Sequence, residues 1–196
     1  MVTGLRASRG RRAERAVSAR PWTGVKDAAV GETAIVVLVP EAEPLVGAWR
    51  RVHTDDGRHG MPPHVTLIYP FVDDSALPRQ VAGVGTVVGC FEAFDCAFAE
   101  TARFDGVLYL SPAQDEIFRA MTDALARAYP DNPPYGGRYD DVVPHLTVAE
   151  SGNAALLASI EREVRARLPI ATHVAAASLM HFVDGRWREH TSVALA

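Results

Sequence analysis

The sequence predicts an α+β fold, in which antiparallel strands carry helices packed against them. Short β-rich runs alternate with segments of helical periodicity, and two pairs of strands are joined by Asp-Gly turns. Strands joined by such turns pair antiparallel. The series strand, helix, hairpin also occurs twice within the 196 residues. This repeat predicts a bilobal molecule with a cleft between its two lobes.

The elements of the first half follow from periodicity and turn residues. A continuous apolar run predicts a buried strand over 33–40, and apolar residues at helical spacing predict a helix over 44–52. The glycines and prolines of 55–63 predict a loop. The rest of this half is predicted as a strand over 64–71, a helix from Asp74 or Ser75 to Val88, and a hairpin of 91–104 and 107–110.

The second half is interpreted in the same way. Ser111, which can cap a helix, and an apolar stripe after it predict a helix from Pro112 to Tyr129. The Pro/Gly/Tyr-rich segment 131–143 predicts a loop. The remaining predictions are a strand over 145–150, a helix from the cap Asn153 to Leu168, and a hairpin of 170–183 and 187–195 around Asp184-Gly185.

Charge divides the chain into two parts. The formal net charge is −4, but residues 1–32 carry a net +4 and residues 33–196 a net −8. We therefore predict a basic, disordered tail over 1–32 and a single bilobal domain over 33–196. A basic arm can bind nucleic acid, although a functionless extension is the simpler interpretation. The acidic body argues against broad electrostatic capture of long RNA.

Composition excludes several classes of protein. The longest apolar runs are far shorter than the roughly 20 residues of a membrane span, and no apolar stretch follows the basic N-terminus as it does in a secretion signal. Two cysteines, Cys90 and Cys96, are too few for a disulfide framework and lack metal-ligand spacing. We expect a monomeric, cytoplasmic protein that does not engage a membrane.

Two predicted strands open with the same motif, Pro-His-apolar-Thr-apolar. The first match contains His64 and Thr66, and the second contains His145 and Thr147. Because side chains alternate along a strand, each His and Thr share one face while the apolar residues face a lobe. Pseudo-symmetry then directs both pairs into the shared cleft. A weaker match at His190 lacks the proline and a partner, so we expect it to be structural.

The residue types of this motif suit chemistry on a phosphate. An imidazole can accept or deliver a proton near pH 7, so two histidines across a cleft can act as the base and the acid of one phosphoryl displacement. Threonine hydroxyls can donate hydrogen bonds to the non-bridging oxygens. No cluster of carboxylates accompanies the histidines, so we expect no metal and no cofactor. No Gly-x-Ser-x-Gly nucleophile motif occurs.

At these residues the sequence resembles the 2H phosphoesterase superfamily. The segments 64–71 and 143–149 resemble the bacterial branch of 2'-5' RNA ligase-like proteins, or RNA 2',3'-cyclic phosphodiesterases, and the resemblance covers roughly 33–195. It implies a bilobal, pseudo-twofold α+β fold that has two antiparallel sheets, flanking helices and a central cleft holding the site. It also implies metal-independent chemistry on 2',3'-cyclic phosphate or 2'-5' phosphodiester linkages. It also implies that His64 and His145 are the catalytic pair, with Thr66 and Thr147 binding the phosphate.

One position departs from the pattern of that branch. Several relatives carry a basic residue shortly after the second motif, whereas Glu150 occupies that stretch here. Alternation from His145 predicts that Glu150 faces away from the cleft. Arg138, in the loop before the second motif, is our candidate for the substrate-binding cation in its place. The competing interpretation of Arg138 is an exposed loop residue.

Aromatic residues near the motifs are candidates for stacking on a nucleobase. Tyr135 and Tyr139 lie in the loop before the second motif and are the better candidates. Tyr69 and Phe71 follow the first motif with the parity of its apolar residues, so alternation predicts that they pack in the core.

We expect an enzyme that acts on the cyclic phosphate of an RNA terminus or of a nucleotide. Two alternatives remain open: a module of the same fold that binds RNA ends or nucleotides without turnover, and a phosphodiesterase for a small metabolite such as ADP-ribose cyclic phosphate. Retention of both His and both Thr favours an enzyme, because binding alone does not require two titrating groups.

Overall fold

The structure is a computed structural model that describes residues 31–196. The prediction of a disordered basic tail therefore lies outside the described residues, except for the last two positions of 1–32. The described range begins with a turn at Gly31 and enters the first strand at Thr33.

Eight strands and five helices form within this range. The strands are β1 (Thr33–Leu38), β2 (His64–Ile68), β3 (Phe94–Phe104), β4 (Val107–Pro112), β5 (Leu146–Glu150), β6 (Ile170–Val174), β7 (Ala176–Val183) and β8 (Arg186–Ala194). The helices are α1 (Glu43–His53), α2 (Asp55–Arg58), α3 (Leu77–Val88), α4 (Asp115–Ala128) and α5 (Ala154–Arg165). None of these helices is long and apolar enough to cross a bilayer.

The strands form two four-stranded antiparallel sheets. Sheet A has the order β2-β1-β7-β8 and sheet B the order β5-β4-β3-β6. Helices α3 and α4 pack on sheet A, whereas α1 and α5 pack on sheet B. The predicted α+β class, the two sheets and their flanking helices are thus confirmed.

The two halves of the chain exchange their hairpins. The β3–β4 hairpin of the first half pairs with β5, and the β7–β8 hairpin of the second half pairs with β1. Each sheet therefore combines the motif strand of one half with the hairpin of the other. Buried apolar residues from both sheets and from their helices form one continuous cluster, which we call the main core. Neither half of the chain therefore buries its apolar surface alone.

Three local predictions were wrong. The helix predicted from Pro112 begins at Asp115 instead, because β4 continues through Pro112 in its pairing with β3. The strand predicted over 170–183 breaks at Ala175 into β6 and β7, which belong to different sheets. The predicted loop 55–63 contains the short helix α2, whose first turn is capped by the side chain of Thr54.

The cap predicted at the start of α5 is confirmed. The Asn153 side chain accepts hydrogen bonds from the backbone N–H groups of Ala155 and Leu156, which no carbonyl within the helix can satisfy. The next apolar positions of α5, Leu157, Ile160 and Val164, are buried against sheet B.

Replacing this cap should destabilise the protein by a small, defined amount. We expect Asn153→Ala to lower the free energy of unfolding by about 1 kcal/mol, because two N–H groups lose their acceptor. Asn153→Asp, which keeps an acceptor at the same position, is the matched control and should retain most of the stability. Urea unfolding of the three proteins measures both values, and an equal loss in both variants would contradict the capping role.

Candidate active site

The two motif strands are edge strands that lie against each other. β2 is at the edge of sheet A and β5 is at the edge of sheet B, and the two strands are in contact. The structure thereby brings His64 and His145 close enough for the charge on one imidazole to lower the pKa of the other. Thr66 and Thr147, two residues on, are half-buried and lie on the same faces as their histidines.

Both histidines are held by the same backbone contact. Nδ1 of His64 lies 2.7 Å from the carbonyl oxygen of Pro62, and Nδ1 of His145 lies 2.8 Å from that of Val143. A carbonyl oxygen only accepts hydrogen bonds, so each Nδ1 carries the proton and each neutral ring keeps its lone pair on Nε2. The site therefore contains two imidazoles with matching tautomers, each able to take up or release a proton at Nε2.

Both motif strands contain a β-bulge directly after the threonine. In sheet A, Val36 pairs with Thr66 but Ile35 pairs with Ile68, so Leu67 is the extra residue. In sheet B, Tyr109 pairs with Thr147 and Leu108 with Ala149, which makes Val148 the extra residue. In each strand the extra residue and its successor are both buried in the main core. Each bulge therefore reverses the alternation of the residues that follow it.

The bulges return the sixth residue, counted from each motif histidine, to the face of that His and its Thr. These residues are Tyr69 and Glu150. Glu150 pairs with Val107, which is on the same face of β4 as Tyr109, the partner of Thr147. The prediction that Glu150 faces away from the cleft was therefore wrong. Tyr69 also lies on the motif face, so its predicted place in the main core was wrong, whereas Phe71 is buried there as expected.

Tyr69 belongs to a small apolar cluster on this face of sheet A. Its ring packs edge-on against Trp187, at 6.0 Å between ring centroids, and its hydroxyl donates a hydrogen bond to Glu32. Burial, together with that hydrogen bond, raises the pKa of Tyr69. The same cluster includes Met61 and Phe182, so sheet A presents an apolar wall beside His64.

Sheet B contributes a second aromatic surface beside the other histidine. The ring of His145 packs edge-on against Phe104 at 5.1 Å and against Tyr109 at 5.4 Å, and these two aromatic rings stack on each other at 4.3 Å. The sequence did not predict this pair, because its position beside the second motif depends on the long-range pairing of β4 with β5.

A buried arginine that the sequence did not predict connects the second motif strand to the segment that precedes the first. Arg50 of α1 has a side chain only 1% exposed. Its Nη1 donates to the carbonyl oxygen of Thr147 at 2.6 Å, and its Nη2 donates to Oδ2 of Asp56 at 2.7 Å and to the carbonyl oxygen of Met61 at 3.5 Å. The signal in the sequence was its place four residues after Val46, on the apolar stripe of α1, since arginine is almost never fully buried unless it is paired.

The Arg50–Asp56 pair adjoins the first histidine. Oδ2 of Asp56 is 3.8 Å from Nε2 of His64. Burial alone would raise the pKa of Asp56, but the Arg50 guanidinium and the His64 imidazole hold it below its ordinary value. Asp56 is therefore ionised at neutral pH and balances the buried charge of Arg50.

Burial keeps both imidazoles neutral. It lowers the pKa of His64 to about 4, with the charge of Arg50 acting in the same direction and Asp56 opposing it. Burial also lowers the pKa of His145, against the effects of the Val143 carbonyl and Asp56. At pH 7 the free site thus offers two neutral bases, and the negative charge of a bound anion would favour protonation of one of them.

Three residues of the loop before the second motif were predicted to bind substrate, and only one of them lies beside the motif residues. Tyr135 is half-buried, its N–H donates to the carbonyl oxygen of Tyr69 at 2.7 Å, and burial raises its pKa to about 12, an effect that the nearby Thr66 hydroxyl opposes. Tyr139 packs against Tyr135 at 5.7 Å but is 47% exposed. The exposed Arg138 shows only a backbone hydrogen bond, from its N–H to the Tyr135 carbonyl oxygen, so within residues 31–196 its guanidinium is not tied to the histidines.

The residues present do not resemble a metal centre. In the described part of the chain, no three His, Cys, Asp or Glu side chains are grouped so that they could hold a metal ion. The Asp56 carboxylate, which lies closest to the motif, is already paired with Arg50.

Comparisons with known proteins agree with the geometry. A family model described as the 2'-5' RNA ligase superfamily matches residues 38–186. A search of curated protein sequences finds no match. Among solved structures, the fold is similar to that of Escherichia coli LigT in apo form, with a TM-score of 0.55 and 17% identity over 85% of this chain and 98% of that one.

Two further structures are similar to the same extent. The protein TT0787 of Thermus thermophilus has a TM-score of 0.57 and 16% identity over 83% of this chain and 97% of its own. E. coli LigT complexed with 3'-AMP has a TM-score of 0.52 and 17% identity over 85% and 98%.

Loss of the buried guanidinium should be costly. We expect Arg50→Met to lower the free energy of unfolding by about 3–5 kcal/mol, because it leaves Asp56 without its cation and the Thr147 carbonyl without its donor. The adjacent Arg51 is exposed and pairs with Glu43 on the surface, so Arg51→Met is the matched control and should cost at most about 1 kcal/mol. Chemical denaturation measures both, and equal losses would contradict the structural role of Arg50.

Stability should also depend on pH through His64. Between pH 6.5 and about 4 the unfolded chain binds a proton at this residue that the folded protein excludes, so stability falls as the pH is lowered. We expect His64→Asn to reduce the slope of unfolding free energy against pH in this window by up to about 1.4 kcal/mol per unit. Urea unfolding at half-unit intervals measures the slope, and the same slope in both proteins would show that His64 is not held neutral by the fold.

Proposed function

The chain belongs to the 2'-5' RNA ligase superfamily, and on that basis we propose that it is a metal-independent phosphoesterase for 2',3'-cyclic phosphate or 2'-5' phosphodiester linkages of RNA ends or nucleotides. One observation carries the proposal: His64 and His145 have matching tautomers, set by matching backbone hydrogen bonds, on adjacent edge strands. Because LigT was crystallised with 3'-AMP, a nucleotide is a reasonable ligand for this fold.

In the hydrolytic direction one imidazole removes a proton from water at its Nε2. The water oxygen then forms a bond to phosphorus, and the bond from phosphorus to one ribose oxygen breaks. The other imidazole, protonated at Nε2 when the anionic substrate binds, delivers its proton to the departing ribose oxygen. The product is a phosphomonoester with a free ribose hydroxyl. In ligation an RNA hydroxyl replaces water: its oxygen forms the bond to phosphorus, the bond from phosphorus to one ribose oxygen breaks, and the two histidines again remove and deliver the protons. Cleavage of the resulting 2'-5' linkage is the reverse of that step, and in it the two histidines exchange roles.

The threonines act as hydrogen-bond donors to the phosphate. Each hydroxyl follows its histidine by two residues on the same face, so it can reach a non-bridging oxygen of a phosphate held between the imidazoles. We expect Tyr135, which is beside Thr66, to cover the substrate from the loop side, with Tyr139 and Arg138 further out. Arg50 donates a hydrogen bond to the carbonyl oxygen of Thr147 and so restrains the position of this threonine.

The assignment is tested by replacing each histidine. We expect His64→Ala and His145→Ala each to reduce hydrolysis of nucleoside 2',3'-cyclic phosphates by about 10²–10⁴-fold, the usual contribution of a positioned acid or base. His190→Ala is the matched control, since this exposed histidine lies on β8 in the weaker His-x-Ser match. Circular dichroism checks that the variants are folded. Full activity in either motif variant would refute the assignment.

Metal independence has its own test. Because the site contains no grouped metal ligands within the described residues, we expect the rate to be the same before and after dialysis against EDTA. A loss of activity in EDTA that added Mg²⁺ or Mn²⁺ restores would refute the metal-free mechanism while leaving the roles of the histidines open to the mutational test.

A further inference from the structure

Glu150 is a carboxyl group on the motif face that the proposed mechanism does not use. The bulge at Val148 directs it to the side of Thr147, and it is half-buried. At about 3.3 Å per residue, it lies at most roughly 10 Å along β5 from Thr147. A nucleotide whose phosphate lies between the histidines is therefore long enough to reach Glu150 when its nucleoside points along β5.

An open groove surrounds this carboxyl. It has a volume of about 430 Å³ and is lined by Glu150, Arg58, His53, Asp105 and the Ser151-Gly152 turn. Among the described residues, no hydrogen bond or ion pair ties up the Glu150 side chain. The groove thus lies beyond the motif residues at the end of β5, and one carboxyl group in it remains available to a ligand.

The charges around Glu150 come from three elements. Arg50 and His53 lie on α1, and Asp105 lies in the β3–β4 turn. Helix α2 contributes Asp55, Asp56 and Arg58. Burial, with the ionised Asp56 acting in the same direction, raises the pKa of Glu150 to about 7. Its charge therefore changes within the pH range in which the enzyme would operate, from neutral below that value to negative above it.

We propose that Glu150 selects the substrate by charge: the groove accepts a nucleoside cyclic phosphate that presents only hydroxyl or base groups to Glu150 and disfavours one that brings a second phosphate there. A hydroxyl or a base N–H can donate to the carboxylate, whereas a phosphodiester only accepts and is repelled. This inference rests on the proposed function, because it assumes that the reacting phosphate lies between His64 and His145.

The test measures binding in the absence of turnover. Dissociation constants of adenosine 2',3'-cyclic phosphate and of the diadenosine dinucleotide that ends in the same cyclic phosphate are determined by calorimetry on a His145→Ala background, at pH 6 and pH 8. The internal phosphodiester of the dinucleotide stays singly charged over this range, so only the protein titrates. For the His145→Ala protein, which is the parent of the variants below, we expect the dissociation constant of the dinucleotide divided by that of the mononucleotide to rise about fivefold between pH 6 and pH 8.

Substitutions identify the source of the effect. Glu150→Gln should keep the ratio low and independent of pH, and Glu150→Arg should reverse the preference in favour of the dinucleotide. Glu163→Gln makes the same chemical change on the exposed side of α5, on the other face of sheet B, and should behave like the parent. A pH effect that persists in Glu150→Gln would come from another residue and would overturn the proposal.

The outcomes separate this inference from the proposed function. If the protein with both histidines turns over neither ligand, but Glu150→Gln still removes the charge preference in binding, the proposed function fails and the role of Glu150 stands. If turnover depends on the histidines but the binding ratio is the same in Glu150→Gln and the parent, only the role of Glu150 fails. Absence of binding for both ligands refutes both.

Discussion

A single buried cation, Arg50, joins the parts of the molecule that form the site. Its guanidinium contacts the backbone of the second motif strand at Thr147 and, on its other side, the carbonyl of Met61 and the carboxylate of Asp56, just before the first motif strand. β2 and β5 belong to different sheets, and no backbone ladder links them. The relative position of the two histidines therefore depends on side-chain packing and on this cation. Removing a charged group from water is expensive unless its hydrogen bonds are made. Here Nη1 and Nη2 make theirs to Thr147, Asp56 and Met61, whereas the buried Nε has no hydrogen-bond partner among the described residues.

The same ion pair controls the protonation of the site. Arg50 lowers the pKa values of both histidines, and Asp56 raises them. With the pair intact the two charges largely offset each other, and burial decides that the imidazoles stay neutral. In the proposed reaction a neutral imidazole starts as the base, and the negative charge of the phosphodiester favours protonation of the other ring. The structural role of the Arg50–Asp56 pair and its effect on chemistry thus have one physical origin.

Much of the fold could be predicted from periodicity, and the errors have identifiable causes. The strands, the helices, the Asp-Gly turns and the Asn153 cap depend on local sequence, so local reasoning found them. The bulges at Leu67 and Val148 occur within runs of apolar residues. Because either face of the strand would accept an apolar residue, the sequence does not show where the alternation breaks. Strict alternation therefore placed Tyr69 and Glu150 on the wrong face. The exchange of hairpins between the halves is a long-range property that the order of the elements does not contain.

The candidate site was predictable to a similar degree. The paired His and Thr residues are recognisable because two identical motifs begin equivalent strands. Arg50 is separated from Thr147 by 97 residues in the chain, and its importance appears only when the partners of its side chain are known. The aromatic pair Phe104–Tyr109 likewise depends on which strand pairs with β5.

Because the motif is repeated, the two histidines alone cannot set the orientation of a bound substrate. His64 and His145 have the same tautomer, the same type of backbone partner and the same threonine two residues on, so the motifs are nearly symmetric across the cleft. A substrate with a ribose on one side of its phosphate and water or a leaving hydroxyl on the other is not symmetric. Its orientation must therefore be set by what differs between the strands. At the equivalent sixth position, β2 leads to Tyr69 within an apolar cluster and β5 ends at Glu150 beside a charged groove. In the proposed reaction, the choice of which histidine acts as base therefore depends on the surroundings of the motif. By returning Tyr69 and Glu150 to the motif face, the two bulges supply the asymmetry that such a reaction requires.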